Sequence, residues 1–161
     1  MMRFIAGLRI ALVAMALVAV AACSSKDKPD VANQGAVPGS ERDFIVNVGD
    51  RVQFIVDQTT LTPEAQNILR RQAQWLQQYG QVTVQIEGHA DERGTREYNI
   101  ALSARRAERV KNFLISQGIA ASRVSTIAFG KERPVSLCDA ESCWAKNRRA
   151  VTVITGGAVS G

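Results

Sequence analysis

The chain has little of what most metal sites and catalytic sites require. It contains a single histidine, His89, and three cysteines among 161 residues. A zinc site usually combines histidine and thiolate ligands, so His89 beside Glu87 or Asp91 is a poor ligand set. No Gly-x-Ser-x-Gly turn surrounds Ser103, which falls within a helical pattern. We therefore expect no metal, no cofactor and no serine nucleophile.

Aromatic residues are also scarce, at 6% of the chain. Enzymes that cleave glycans need two acids held across a sugar groove, which stacking aromatics often line. Asp91 and Glu92 are adjacent and are expected to point in different directions. The sequence thus favours a binding protein over an enzyme, with glycan processing as the weaker alternative.

Long apolar runs are missing too. The longest, "IALVAMALVAVAA", follows Arg3 and Arg9 and has 13 residues, whereas a membrane-spanning helix needs about 20. We interpret residues 1–22 as a signal peptide. The small residues before Cys23 resemble a bacterial lipobox, which predicts cleavage before Cys23 and acylation of its sulfur and its amino group. An uncleaved anchor and an ordinary cleaved signal are the alternatives.

Charge and composition describe an exported, tethered domain. Loss of Arg3 and Arg9 with the signal lowers the net charge from +5 to +3. An exported chain has no ready access to nucleic acid, so this mild basicity suits anionic envelope polymers or a partner protein. Residues 23–43 are rich in Ser, Gly, Pro and charge and read as a flexible linker. The domain is predicted to cover 44–161.

The two other cysteines, Cys138 and Cys143, lie five positions apart. In an oxidising compartment two close cysteines usually pair. A metal site is the competing interpretation, but no histidine lies near them. We predict a disulfide that stiffens its loop.

The hydrophobic patterns predict four strands and two helices. The order β-α-β-α-β-loop-β indicates an α/β (α+β) sandwich, a mixed four-stranded sheet with both helices on one face. The loop is 131–147, and the tail "GGAVSG" is expected to fray. The predicted strands are 50–56, 81–88, 123–130 and 148–155, and the helices run from Pro63 to Gly80 and from about Arg96 to Gln117.

One arginine of the second predicted helix is out of place. At about 100° per residue, Arg106 falls within the apolar stripe of Leu102 and Val110, whereas Arg105 faces water. A buried arginine requires a partner. Asp91, at the mouth of the same helix face, could form a structural ion pair with it. Alternatively, Asp91 could bind the ammonium of a zwitterion while Arg106 binds its carboxylate. The residues alone favour the two interpretations about equally.

A long, ordered set of motifs resembles a known family. "EGHADERGTREYNIALSARRAERVKNFL", "AFGKERP" and "NRRAVTV" are similar to the C-terminal peptidoglycan-binding domain of the OmpA family, over about residues 44–155. The resemblance implies a βαβαββ fold. It also implies a ligand, the meso-diaminopimelate of the peptidoglycan stem peptide, whose free end is a zwitterion.

The resemblance also assigns roles to individual residues. It places the ligand contacts on Asp91 and Arg106, which we expect to be needed for binding and much less for folding. "QTTL" after the first strand is a looser match to the family. The further binding residues that it implies are Phe54, Asp57, Asn99, Leu102 and Arg149, with Arg148 also near the site.

Lipid-anchored members of such a family imply a location and partners. The implied location is the outer membrane, with Cys23 in the lipid and the domain facing the periplasm. The implied partners are peptidoglycan, TolB and TolA, in a system that links the outer membrane to the cell wall and supports division. An envelope lipoprotein with the same domain but outside that system is the alternative.

Overall fold

The computed structural model describes residues 35–161, in which four strands and four α-helices follow one another along the chain. The helices are α1 (Glu41–Asp43), α2 (Pro63–Gln78), α3 (Arg96–Ser116) and α4 (Glu141–Asn147). The strands are β1 (Arg51–Gln53), β2 (Thr83–Gly88), β3 (Val124–Ala128) and β4 (Arg149–Gly156). A π-helical turn, Phe44–Val48, follows α1, and a 3-10 turn, Ala121–Arg123, precedes β3.

The strands form one mixed sheet in the order β1-β4-β2-β3. The last strand, β4, lies between β1 and β2 and is antiparallel to both, while β2 and β3 are parallel. This confirms the predicted mixed four-stranded sheet. Because β2 and β4 are central, the loops that leave their ends can meet at one site.

Two long helices cover one face of this sheet. Thr62 caps α2 by accepting a hydrogen bond from the Ala65 amide at 3.2 Å, and Pro63 occupies the first helical position, as predicted. Alternate residues of β2 are buried, so its other residues lie on the more open face. The shared core includes Leu69 and Leu76 of α2, Ala107, Val110 and Leu114 of α3, and Val84 and Ile86 of β2.

Two elements differ from the sequence predictions. The first strand is Arg51–Gln53 rather than 50–56, because Ile55 and Val56 leave the sheet and are exposed. The chain then turns at Asp57, whose φ of 54° is in the left-handed region. The predicted loop 131–147 contains α4, a helix of 7 residues. Ala140 offers no capping side chain there, so the usual signal for a helix start is missing.

Residues before the predicted domain start at Phe44 also pack on the domain. Its compact unit starts at Ala36. Ser40 is buried and caps α1, and the carboxylate of Asp43 accepts a hydrogen bond from the Trp75 indole at 2.8 Å. The C-terminal tail is not frayed as expected, because the Val159 amide donates to the Gly39 carbonyl at 3.0 Å.

The predicted signal peptide, Cys23 and most of the predicted linker lie outside the described residues. Within 35–161, no helix is both long enough and apolar enough to cross a membrane.

Candidate functional site: a polar cleft between β2 and α3

The end of β2 lies unusually close to α3. A Cβ atom at Gly88 would overlap the backbone carbonyl of Ser103, so only glycine fits there. The chain after Gly88 continues through His89 to Asp91, beside the buried face of α3. This close approach brings Asp91 and Arg106 to the same cleft.

Arg106 is fully buried, as its position within the apolar stripe predicts. Its Nε, Nη1 and Nη2 atoms donate to three backbone carbonyls, those of Gln58 (3.0 Å), His89 (3.0 Å) and Ile55 (3.2 Å). The guanidinium therefore joins the loop after β1 to the loop after β2. The ring of Phe54 lies 5.1 Å from the guanidinium carbon, so Phe54 contacts Arg106 and is not among the residues that line the cleft.

Arg106 keeps its charge despite this burial. Desolvation lowers the pKa of Arg106 to about 10, and the nearby charge of Asp91 offsets part of that effect. A pKa near 10 leaves the guanidinium protonated at neutral pH. It can therefore attract a carboxylate.

Asp91 is bound by two other arginines. Arg93 Nη2 lies 2.6 Å from one carboxylate oxygen, and Arg148 Nη1 lies 3.2 Å from the same oxygen. In the described part of the chain, the ion pairs of Asp91 are these two and do not include Arg106. Burial alone would raise the pKa of Asp91, but the hydrogen bonds from Arg93 and Arg148 outweigh burial and lower it.

The space between Asp91 and Arg106 is a cleft of about 270 Å³. The predicted residues Asp57, Asn99 and Leu102 line it. Asn99 also donates to the Arg93 carbonyl at 2.8 Å, which holds the start of α3 against the loop after β2. The complete lining is Val56, Asp57, Asp91, Arg93, Gly94, Tyr98, Asn99, Leu102 and Arg106.

The side of the cleft formed by the loop after β1 is held by a contact that the sequence did not predict. Tyr98, in the first turn of α3, donates its hydroxyl to the carboxylate of Asp57. This contact crosses from α3 to the loop after β1, so it borders the cleft opposite Asp91. Asp57 accordingly belongs to the cleft, although the sequence match there is loose.

Two neighbouring arginines, Arg148 and Arg149, have different surroundings. Arg149, predicted as a binding residue, does not line the cleft; it donates to the carbonyls of Arg133 (3.2 Å) and Asn147 (3.4 Å). Arg148 contacts Asp91 instead and also donates to the Phe54 carbonyl at 3.1 Å. A ligand contact by Arg149 stays a prediction, with its side chain outside the lining of the cleft and Arg148 beside Asp91.

A disulfide lies at the outer edge of the cleft. Cys138 and Cys143 are bonded, with their Cα atoms 5.7 Å apart. Glu141, between them, accepts a hydrogen bond from Arg148, and this bond lowers the pKa of Glu141. Trp144, which follows Cys143, stacks on Arg93 with the guanidinium carbon 4.3 Å from the ring centre. No sequence motif indicated Arg93, Glu141 or Trp144 in this role.

His89 is buried on the other side of this loop, stacked on Phe129 with ring centres 5.5 Å apart. Glu87 lies 3.5 Å from it, which would favour the charged imidazolium. Burial and the positive charges of three arginines outweigh that carboxylate and lower the pKa of His89 to about 4. The imidazole is therefore neutral at pH 7, and we count Glu87 as a neighbour rather than an ion-pair partner.

Comparison with known proteins defines the family. The family model described as "OmpA family" matches residues 53–148. The matched range contains the cleft, and the mixed sheet and the polar cleft agree with that match. The chain belongs to the OmpA family.

Within that family, the chain is similar to proteins that share one name. The peptidoglycan-associated lipoprotein of Mesorhizobium japonicum is 54% identical over 154 residues, covering 91% of this chain and 90% of the relative. That of Agrobacterium fabrum is 53% identical, covering 91% and 88%. The crystal structure of the peptidoglycan-associated lipoprotein from Burkholderia pseudomallei superposes with a TM-score of 0.64 at 39% identity, covering 66% of this chain and 90% of the other.

Proposed function

We propose that this chain is an outer-membrane lipoprotein that binds peptidoglycan without a covalent bond and so links the outer membrane to the cell wall. Its ligand is the meso-diaminopimelate of the stem peptide. The observation that carries the proposal is the cleft itself, in which a buried cationic arginine and a buried aspartate face one polar space. The names of the relatives support peptidoglycan as the polymer that is bound. The charges in the cleft support a zwitterionic group as the part of it that is recognised.

The donors of Arg106 suit a carboxylate ligand. A guanidinium has five N–H groups, and three nitrogens of Arg106 each donate to one backbone carbonyl. Two N–H groups, one on each terminal nitrogen, are therefore left for a ligand carboxylate. The three carbonyls fix the plane of the guanidinium, so its orientation is set before the ligand arrives.

Asp91 supplies the complementary charge. Its pKa is lowered, so the carboxylate is ionised at neutral pH and attracts an ammonium group. An amino-carboxylate end that spans the cleft then places its ammonium at Asp91 and its carboxylate at Arg106. This is binding chemistry, with no bond made or broken, and the proposed function is not enzymatic.

The envelope context completes the proposal. Acylated Cys23 anchors the chain in the outer membrane, and the domain faces the periplasm on its tether. We further propose a place in the Tol–Pal system, with TolB and TolA as protein partners and a role in outer-membrane invagination during division, as the resemblance of the sequence motifs implies. Co-purification of TolB from envelopes tests this placement. Binding to peptidoglycan without recovery of TolB would favour an envelope role outside the system.

Sedimentation with purified sacculi tests the ligand. Asp91→Asn and Arg106→Lys should weaken binding by about thirtyfold or more. Asp91→Asn removes the charge that pairs with the ammonium, and Arg106→Lys keeps the charge but loses the planar pair of donors for the carboxylate. Asp139→Asn and Arg105→Lys are matched controls, since they make the same changes at exposed positions. Sacculi that carry lysine in place of diaminopimelate lack the second carboxylate and should bind poorly. Equal binding to both kinds of sacculi, or folded variants that bind like wild type, would contradict the proposal.

A further inference from the structure

The carboxylate of Asp91 is already fully occupied. An ionised carboxylate offers about four acceptor positions. One oxygen accepts from the Arg93 amide at 3.1 Å and from Arg93 Nε at 3.3 Å. The other accepts from Arg93 Nη2 at 2.6 Å and from Arg148 Nη1 at 3.2 Å. A ligand ammonium can reach Asp91 only if one of these donors leaves.

The donors differ in how easily they can leave. The amide belongs to the backbone of the loop, and the side chain of Arg148 is only 6% exposed. The side chain of Arg93 is 40% exposed, so water can solvate its charge as it moves away. Arg93 is therefore the donor with the lowest cost of removal.

The Arg93 guanidinium has other neighbours besides Asp91. Its carbon atom lies 4.3 Å from the ring centre of Trp144, and Nη2 lies 3.9 Å from Glu141. Both of these neighbours, Trp144 and Glu141, belong to α4. A guanidinium that gives up Asp91 can keep its cation–π contact and its neighbouring acid.

We propose that Arg93 competes with the ammonium group of the ligand for the carboxylate of Asp91. This competition sets the affinity and the selectivity of the cleft. The inference rests on the proposed function. A cation that binds more weakly to Asp91 than Arg93 does cannot enter. A ligand whose carboxylate is held at the same time by Arg106 has the additional binding energy to displace Arg93.

The direction of the affinity change on mutation separates this role from an ordinary ligand contact, whose removal would weaken binding. Arg93→Ala should bind tighter than wild type by about fivefold, the range of a single exposed ion pair. Arg93→Met, which keeps the apolar stem against Trp144, should gain similarly. The probe is a soluble muropeptide containing meso-diaminopimelate. Its affinity for the full-length chain is measured by isothermal titration calorimetry.

Arg96→Ala is the matched control. It removes the same charge three residues away, and Arg96 is exposed, pairs with Glu132 and does not line the cleft. Its affinity should remain that of wild type, which excludes a general effect of net charge. A muropeptide acetylated on the free amino group of diaminopimelate should gain nothing from Arg93→Ala, because it brings no ammonium to Asp91.

The outcomes are distinct. Weaker or unchanged binding by both Arg93 variants overturns the proposal and identifies Arg93 as a ligand contact or as a bystander. Equal gains for the acetylated and the free muropeptide also overturn it. Failure of the proposed function looks different, since wild type would then not distinguish the two muropeptides and Asp91→Asn would have no effect.

Discussion

Two buried arginines lie near the ends of the central strands, and they differ in what surrounds them. Arg106 donates to three carbonyls at 3.0–3.2 Å and borders an open cleft. Arg149 makes two longer contacts, of 3.2 and 3.4 Å, and its Nε has no hydrogen-bond partner within residues 35–161. Desolvation lowers the pKa of both guanidinium groups.

The difference shows that a buried charge alone does not mark a binding site. Arg149 and His89 form a closed region, in which both imidazole nitrogens of His89 lack hydrogen-bond partners in the described chain. Arg106 and Asp91 instead have satisfied partners and space beside them. Space for a ligand, rather than burial, distinguishes the cleft.

The largest expected effect comes from removing each arginine. Arg106→Ala leaves three carbonyls without donors and should lower the free energy of unfolding by about 3–5 kcal/mol. Arg149→Ala should cost only about 1–2 kcal/mol, because its hydrogen bonds are long. Chemical denaturation of both variants measures this. Equal losses would show that the two arginines are equivalent structural supports, and the comparison would fail.

Because Arg106 donates to three backbone carbonyls, we expect it to matter more for folding than the sequence alone suggests. Arg106→Ala confounds folding with binding, so Arg106→Lys and Asp91→Asn are the variants suited to sedimentation with sacculi. Thermal melts beside each assay show which effect is measured.

The closed region should respond to pH. The pKa of His89 is lowered from 6.5 to about 4, so between these values the unfolded chain binds a proton that the folded domain does not. The stabilisation is complete above pH 6.5 and is lost as the pH falls toward 4, by up to about 3 kcal/mol. His89→Phe, which can still pack on Phe129, should flatten this dependence in denaturation series. Parallel curves for wild type and variant would contradict the assignment.

The smallest effect is expected at the outer edge of the cleft. Reducing the Cys138–Cys143 bond, or replacing both cysteines by serine, should cost up to about 2 kcal/mol, because the closed loop is short. Binding to sacculi should stay near wild type, since Asn147 still holds the loop through hydrogen bonds to Val135 and Ser136. If the loss in binding free energy exceeded the loss in the free energy of unfolding, α4 would contribute directly to ligand binding, contrary to this prediction.

The sequence predicted the elements that follow simple periodicity. The helical wheel placed Arg106 on the buried face of α3, and Thr62 followed by Pro63 marked the start of α2. It did not predict that Ile55 and Val56 leave the sheet, because β-rich residues look alike in a strand and beside a cleft. It also missed α4, whose 7 residues are too few for a clear period and lack a cap.

The pairing of charges was beyond the sequence. The sequence predicts Asp91 near Arg106 at the mouth of α3, as an ion pair or as two parts of a ligand clamp, whereas in the structure Asp91 pairs with Arg93 and Arg148. Which of Arg148 and Arg149 turns toward the cleft depends on the register of β4 against β1. Local sequence patterns do not define that register, so neighbouring arginines could not be told apart.

The pinned ends of the domain have a mechanical consequence. Gly39 and Ser40 lie alongside Val159 in a parallel bridge, and Asp43 is fastened to Trp75 on α2. Any tension that reaches the domain along the chain from residue 35 first meets these contacts, which lie at the far end of β4 from Arg148 and Asp91. In the proposed role of joining a membrane to the cell wall, the pull would be taken up by the bridge and the central strand before it could deform the cleft.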